Sequence, residues 1–438
     1  MRLVDYLKEH AARQPQKVAV VSQGAETTYA CLWQLVQAKA QALRADGVGQ
    51  GRVVVFRTTQ DLEFLVTYFA IHLCGAVAMP LEQAMPTARF SDIERRYTAF
   101  SPPPGVADIL FTTGTTGDSK GVMVGHGAIM ANAENLVLAQ GFTDELVFII
   151  CGPLNHIGSL SKIFPVVMTG GTLYLLEGLK DLNRFYEALG YPCAKMATFM
   201  VPASIRILLQ LSGKRLSGYS DKVDFIETGG APISQADMQA LCKALPYSRL
   251  YSTYASTETG IVSTYNFNDG RCVAGCLGHH MKNTFPFITP EGRVAVRGLT
   301  LMSGYADDVA QTAKVLRDGA VYTADNGTLD ADGRLFLTGR NDDVINIGGF
   351  KVSPSEVEDV ALSFPSVKDC ICVCAHSEQL GNILKLLVVT DGGTAIDKQR
   401  LARHLAQTLE RYKVPQLYEQ VGSIRRTYNG KLDRKAYR

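Results

Sequence analysis

Ala107-Asp-Ile-Leu-Phe111 reads as a short buried strand, and it runs directly into Thr112-Thr-Gly-Thr-Thr-Gly-Asp-Ser-Lys-Gly121. A strand end opening into a glycine-rich loop is where ligands sit in α/β sheets, so this junction constrains the fold and the location of any site together. Glycines such as Gly114 admit positive φ and let backbone N–H groups close on an anion. Thr112, Thr113, Thr115 and Thr116 add hydroxyl donors, and Lys120 adds a cation. These are the parts of a polyphosphate cradle. The run is not a Walker A loop: its spacing is Gly-x-x-Gly-x-x-Lys, and Gly121 stands where Ser or Thr would hold magnesium. Taken alone, it reads equally as a solvated Gly/Thr loop.

The 438 residues exceed what one core serves and imply two to four domains or subdomains. Hydrophobic content of 46% and charged content of 20% describe a soluble globular protein. A net charge of +2 gives no electrostatic case for nucleic acid or an anionic membrane. The first ten residues are charged and amphipathic rather than a signal peptide, and no apolar run is long enough for a membrane span. The ten cysteines follow no disulfide framework; Cys370, Cys372 and Cys374 alternate as on one strand face, with no His at ligand spacing beside them. The expectation is reduced thiols in a cytoplasmic protein.

Helical and strand patterns alternate over residues 1–100: helices at Leu3–Ala12, Ala30–Ala45 and Leu62–Cys74, strands at Lys17–Val21 and Val53–Phe56. This predicts a parallel sheet with crossover helices. Ser101-Pro-Pro-Pro-Gly105 is a linker. The alternation resumes to about residue 265, with strands at Val147–Cys151, Thr172–Leu176 and Val223–Glu227. Residues 266–340 carry short strands and Gly-rich turns, a small β subdomain. A fresh pattern follows Asp342: a helix starting at Ser353-Pro-Ser-Glu-Val-Glu358, strands at Cys370–Cys374 and Leu384–Val389, and a helix at Asp397–Arg411. The fold class is α/β: a large N-terminal domain of βα subdomains with a small β subdomain, residues 1–341, and a small α+β C-terminal domain, residues 342–438.

Motifs along nearly the whole chain resemble, in order, those of the AMP-forming, adenylate-forming superfamily, in its acyl- and aryl-CoA ligase branch. Phe111–Gly121 is similar to its phosphate loop, with Ser119 in place of Pro. Gly229-Gly-Ala-Pro232 resembles its adenine-contacting turn. Tyr254-Ala-Ser-Thr-Glu258 resembles Tyr-Gly-x-Thr-Glu, and Tyr322-Thr-Ala-Asp325 resembles Tyr-x-Thr-Gly-Asp. Gly339-Arg-Asn-Asp342 and Gly348–Glu358 resemble the hinge and the opening of a mobile C-terminal domain. Asn429-Gly-Lys431 resembles the catalytic-lysine loop. The resemblance implies further βα units where this chain has only residues 81–106, so one N-terminal subdomain is shortened.

The resemblance also assigns roles. Lys120 and the loop threonines would hold phosphates, Gly229, Gly230 and Ala231 the adenine, Tyr254 would stack on it, and Asp325 and Arg340 would take the ribose side. Two vicinal hydroxyls can donate to one carboxylate, which suits Asp325, although Asp before Asn-Gly is also an ordinary turn residue. Thr257 would bond a phosphate and Glu258 would hold magnesium; apart from the family pattern, Thr-Glu also reads as a helix start. Lys431 would bridge carboxylate and α-phosphate, as a long flexible cation can. Asp342 would be the hinge, and Gly349 and Lys351 would line the thiol's path. Cys151-Gly-Pro-Leu-Asn-His156-Ile-Gly158 resembles the CoA-ligase Pro-Leu-x-His-x-x-Gly pattern, with His156 lining the tunnel, and Thr198–Pro202 resembles a pocket wall. The Phe-Asp motif of amino-acid-activating relatives is absent.

The implied function is a two-step ligation with ATP, Mg2+ and CoA: an aryl or fatty acid becomes acyl-AMP, then a thioester. An acyl-carrier protein is the alternative acceptor, with Arg425, Arg426, Arg434 and Lys435 around Lys431 able to serve either one. A catalytically silent nucleotide or acyl binder is the rival from another class. Retention of Lys120, Glu258, Asp325, Arg340 and Lys431 argues against silence.

Overall fold

Strand Leu146–Ile150 is buried at every residue, the mark of a strand covered on both faces by helices. It lies inside a nine-stranded sheet, whose spatial order is His279–His280, Gly260–Asn266, Arg249–Ser256, Val223–Gly229, Lys195–Met200, Leu146–Ile150, Thr172–Leu175, Val18–Ser22 and Ala25–Thr28. The six strands from Arg249–Ser256 to Val18–Ser22 run parallel, and antiparallel strands close both edges. The computed structural model describes residues 1–112, 120–340, 343–347, 350–377, 381–390, 394–427 and 432–437.

The expected single parallel sheet over residues 1–100 is corrected. Val18–Ser22 joins the nine-stranded sheet, whereas Val53–Arg57 and Val77–Leu81 join a second sheet with Val106–Phe111, Gly121–Gly125 and Gly304–Tyr305. The reason is local. Gln23 and Gly24 both hold positive φ, 51° and 80°. Two such residues make the tight hairpin that turns Ala25–Thr28 back on Val18–Ser22 and caps that edge. Among the described residues that edge takes no further strand, and the next strand, Val53–Arg57, lies in the second sheet. Between Val77–Leu81 and Val106–Phe111 stands one helix, Thr87–Thr98. Arg57 Nη1 donates to the carbonyls of Gln83 and Met85 at 2.8 and 2.6 Å, and its guanidinium lies 4.5 Å from the centre of the Phe90 ring.

Residues 284–340 form an antiparallel sheet of Thr284–Ile288, Arg293–Gly298, Ala320–Leu329 and Leu316–Arg317, with Leu335–Arg340 on the far side of Ala320–Leu329. The expected small β subdomain is there. The C-terminal segment has its own core, in which Val352, Val357, Cys372, Leu386, Leu401 and Leu405 pack together. Cys370 and Cys372 are buried in strand Val367–Ser377, and Cys374 is exposed. Of the basic cluster expected around Lys431, Arg426 and Arg434 are engaged by carboxylates. Arg434 is half-buried and bonds the buried Glu358 through both Nη atoms at 2.6 and 2.7 Å, and Arg426 grips Asp369 at 2.7 and 2.8 Å. A buried carboxylate needs a guanidinium, so these arginines are spent internally. Arg425 is exposed. Helix Lys398–Thr408 starts on an Asp397 cap and stops short of Arg411 because Leu409 is extended.

His126 opens helix His126–Gln140 directly after strand Gly121–Gly125. Burial, then the neighbouring His72, holds its imidazole down at about 4. An unfolded histidine titrates near 6.5. The stability it carries is therefore present above pH 6.5 and lost as pH falls through 4, about 1–2 kcal/mol after solvent screening. Urea midpoints taken between pH 7 and 4 should fall less steeply for His126→Gln than for the unaltered chain. Equal slopes would place the acid sensitivity elsewhere.

Candidate active site

Phe111 pairs with Gly121 across an antiparallel ladder, and Thr112 N donates to Lys120 O at 3.0 Å. The strands on either side of the Gly/Thr run, Val106–Phe111 and Gly121–Gly125, thus pair with each other. Thr113, Gly114, Thr115 and Thr116 lie outside the described residues. Lys120 is described, and its Nζ sits 5.2 Å from the centre of the Tyr305 ring.

That ring connects Lys120 to Glu258. Tyr305 Oη donates to Glu258 Oε1 at 3.0 Å. Burial first, and then the Glu258 charge and hydrogen bond, push the phenol well above its ordinary range, so it stays a donor. Glu258 lies in the turn Thr257–Thr259 between strands Arg249–Ser256 and Gly260–Asn266. The helix-start reading of this segment is therefore excluded. The turn is cross-braced: Ser256 N donates to Thr259 Oγ1 at 3.3 Å, and Thr259 N to Ser256 Oγ at 3.1 Å. Thr300 Oγ1 donates to Thr259 O at 2.6 Å, and Met302 N to Glu258 O at 2.9 Å. Thr257 is half-buried in the same turn.

Tyr254 and Asp325 meet although 71 residues apart: Tyr254 Oη donates to Asp325 Oδ2 at 2.7 Å. Asp325 lies within strand Ala320–Leu329, not in a turn, and its backbone pairs with Arg340. Gly229 ends strand Val223–Gly229, in register with Thr253, the residue before Tyr254. A Cβ there would come within 2.7 Å of Thr253 O, so only glycine fits. Gly230 has φ +79° and, with Ala231, is exposed. Four segments, 229–231, 254–258, 305 and 325, therefore converge with Lys120 at one end of the sheets.

His156 caps helix Ile157–Thr169, its Nδ1 accepting from Gly158 N at 3.2 Å. The proton of the neutral ring is then on Nε2. Gly158 lies against Phe199: an added Cβ would stand 3.0 Å from Cε1 of that ring. Burial pushes the Cys151 thiol up to about 11, so it is no nucleophile. Two buried charges escaped the sequence reading. Lys162 Nζ donates to Glu227 Oε1 at 2.7 Å. For Lys162 the signal was there: it is the one charge in the mostly apolar helix Ile157–Thr169; Glu227 shares strand Val223–Gly229 with Asp224 and stands out less.

Lys431, Gly349 and Asp342 lie outside the described residues. Lys351 belongs to strand Phe350–Val352, which pairs antiparallel with Ile345–Ile347. Among the described residues no group of three His, Cys, Asp or Glu is placed to hold a metal ion. Glu258 stands as a single carboxylate. Magnesium characteristically takes one or two carboxylates plus substrate phosphates, so a single braced carboxylate beside a phosphate-type loop fits it.

The AMP-binding enzyme family model matches residues 7–99 and 91–306, and the model of its C-terminal domain matches residues 356–431. An indoleacetate–CoA ligase from Aromatoleum aromaticum is 25% identical over 504 aligned positions, spanning 99% of this chain and 96% of that protein. A feruloyl-CoA synthase from Amycolatopsis sp. is 26% identical over 96% of this chain and 95% of its own length. ATP-bound MatB from Rhodopseudomonas palustris superposes with a TM-score of 0.87 at 24% identity, covering 100% of this chain and 98% of that one. The o-succinylbenzoate CoA synthetase MenE of Bacillus subtilis, in complex with its acyl-adenylate, gives 0.86 at 21% identity, over 99% and 97% of the two chains. These structures share the fold: a large N-terminal α/β domain and a smaller C-terminal domain.

Gly260 has φ +67°, and a Cβ would come 2.6 Å from Asn132 Oδ1 and 2.7 Å from Thr300 Cβ. Gly260→Ala should cost about 1–3 kcal/mol of stability through strain and crowding. It should also displace the Glu258 turn. Urea denaturation of this variant beside Gly292→Ala, an equally left-handed but open position at φ +82°, separates crowding from backbone strain. Equal losses in the two would show that Asn132 and Thr300 do not confine the turn.

Proposed function

The chain belongs to the AMP-binding enzyme family, and on that premise we propose that it activates a carboxylic acid with MgATP and passes the acyl group to CoA. The observation that carries this reading is the convergence of Lys120, Glu258, Tyr305, Tyr254 and Asp325 at the sheet ends. The relatives named above as CoA ligases support CoA as acceptor. The acid is aryl or acyl with an apolar body, since Phe199 and the neighbouring glycines offer apolar surface.

In the first half-reaction a carboxylate oxygen bonds to the α-phosphorus, the α–β anhydride bond breaks, and pyrophosphate leaves. Both reactants are anions, so catalysis is neutralisation and alignment. Lys120 and the loop Thr112–Thr116 hold phosphate oxygens, and Thr257 donates to another. Gly229, Gly230 and Ala231 border the adenine, and Tyr254 stacks on it. Asp325, fixed by Tyr254, accepts from the ribose, with Arg340 beside it. Glu258 would hold Mg2+, which would supply positive charge against the polyphosphate; Tyr305 keeps the carboxylate aimed. Lys431 bridges the attacking carboxylate and the α-phosphate. In the second half-reaction the thiol bonds to the acyl carbon and AMP leaves. The C-terminal domain, residues 342–438, turns about Asp342 so that Gly349 and Lys351 replace Lys431 at the tunnel, past His156.

A panel of aryl and alkyl acids with MgATP should release pyrophosphate, and CoA should then release AMP. Absence of acid-dependent pyrophosphate across the panel overturns the activity. Lys431→Ala should slow acyl-AMP formation about 10²–10³-fold while sparing thioester formation from supplied acyl-AMP; equal losses in both steps would remove its assigned role. Glu258→Gln should raise the magnesium needed for half-maximal rate about 10–100-fold. An unchanged magnesium requirement means that Glu258 only shapes the turn.

A further inference from the structure

Lys162 and Glu227 are almost wholly buried, with side-chain exposures of 2% and 1%, and meet at 2.7 Å. Burial pulls the Lys162 ammonium below its ordinary range, and Glu227 opposes the shift. Glu227 Oε2 has no hydrogen-bond partner among the described residues. A buried ion pair commonly costs more in lost hydration than its attraction returns, and an orphaned carboxylate oxygen adds to that cost. Two apolar side chains of the same size would fasten helix Ile157–Thr169 to strand Val223–Gly229 at least as well. Packing alone does not account for the pair.

Its position does. Glu227 is level with Phe199 on the neighbouring parallel strand, and level residues share a sheet face. Lys162 Nζ lies 5.2 Å from the centre of the Phe199 ring. A Cβ at Gly158 would stand 3.0 Å from that ring, and one at Gly229 3.7 Å from it. Gly158 is two residues past His156, and Gly229 begins the turn 229–231. One half-buried ring thus joins both borders of the candidate acid pocket to the ion pair.

We propose that Lys162 and Glu227 are the distal end of the acid pocket and select a carboxylic acid whose far end carries a hydroxyl group. This rests on the acid-activating function proposed above. The body of the acid lies against Phe199, the half-buried ring between the pocket borders and the pair. A hydroxyl donates its proton to Glu227 Oε2 and accepts one of the remaining Lys162 N–H groups, so it answers both. A distal carboxylate would meet the like charge of Glu227, and a distal ammonium that of Lys162. A methyl or bare ring edge would leave the carboxylate oxygen unpaired on binding. Sites built around a hydroxyl reject the analogue lacking it far more strongly than apolar pockets reject a missing methylene.

The test uses matched acids: 4-hydroxyphenyl against phenyl acids, and ω-hydroxy against plain alkanoic acids. Pyrophosphate release gives kcat/KM for each pair, and calorimetry with a non-hydrolysable ATP analogue gives acid binding independently of turnover. The unaltered chain should favour the hydroxylated member about 10²-fold or more in at least one series. The double substitution Lys162→Met with Glu227→Leu leaves no unpaired charge and should abolish or reverse that preference. Glu227→Gln, which keeps an acceptor, should retain its direction. A wild-type preference in the folded double variant, or none in the unaltered chain while acids are activated, overturns the subsite and leaves activation standing. A hydroxyl preference in binding without pyrophosphate release overturns activation and leaves the subsite standing. No binding of any acid overturns both.

Discussion

A single buried amide, Asn132, holds the turn on which the candidate site depends. Its Oδ1 accepts from Ile261 N at 2.8 Å and its Nδ2 donates to Ala128 O at 2.9 Å, so helix His126–Gln140 grips the first residues of strand Gly260–Asn266. Gly260 leaves room for that amide. Because both arms of the hairpin are strands of the large sheet, the turn Thr257–Thr259 cannot drift. Glu258 therefore meets Tyr305 from the second sheet at a fixed place, and Tyr254 meets Asp325 from the third. A site assembled from three sheets needs such rigidity, since positioning is most of what a reaction between two anions requires.

The division of labour among the sheets was only partly legible in the residues. Apolar runs such as Leu146–Ile150 and Val223–Gly229 announced parallel strands because helices cover them on both faces. The order of motifs placed Glu258, Tyr254 and Asp325 in one proposed site, and the structure joins Tyr254 to Asp325 by a hydrogen bond. Sheet membership was not legible: alternation over residues 1–100 looks the same whether strands share a sheet or not. The left-handed residues Gln23 and Gly24 turn the hairpin that closes one edge of the large sheet. Arg434 was misread for a similar reason. A basic residue near a chain end is ordinarily solvated, and its partner Glu358 is 76 residues away. Lys162 and Glu227 were passed over because each looks like a lone charge on an apolar face until the fold pairs them.

The short connection between Val77–Leu81 and Val106–Phe111 shows how a sheet survives when little chain is available. Helix Thr87–Thr98 returns over strand Val53–Arg57, burying Tyr97 at 3% exposure. Arg57 ties down the approach to this helix through the carbonyls of Gln83 and Met85. The alignment with the indoleacetate ligase runs over 504 positions, more than the 438 residues of this chain, so that relative carries segments this one lacks. The two matches to the family model overlap at residues 91–99, over the last turns of this helix and its C-cap. The strands that flank Thr112 and Lys120, Val106–Phe111 and Gly121–Gly125, begin only after it, and Gly121–Gly125 pairs directly with Gly304–Tyr305, which brings Tyr305 to Glu258.

The junction between the large unit and the C-terminal segment has the electrostatic form that a turning domain needs. Arg206, on helix Pro202–Ser217, grips Asp237 through Nε and Nη2 at 2.9 and 2.7 Å. Arg426 grips Asp369 at 2.7 and 2.8 Å. One link that crosses between the units, Arg206 Nη1 to Asp369 Oδ1, is the longest of the row at 3.6 Å. Parting there leaves each carboxylate with its own arginine, so no charge is stranded when the units separate. Breaking a buried pair costs several kcal/mol because it leaves an uncompensated charge, about 3–5 by mutational measure. A partly exposed contact between ions already satisfied elsewhere is worth at most about 1. The row therefore orients the C-terminal segment in this arrangement without holding it there against the turn proposed for thioester formation.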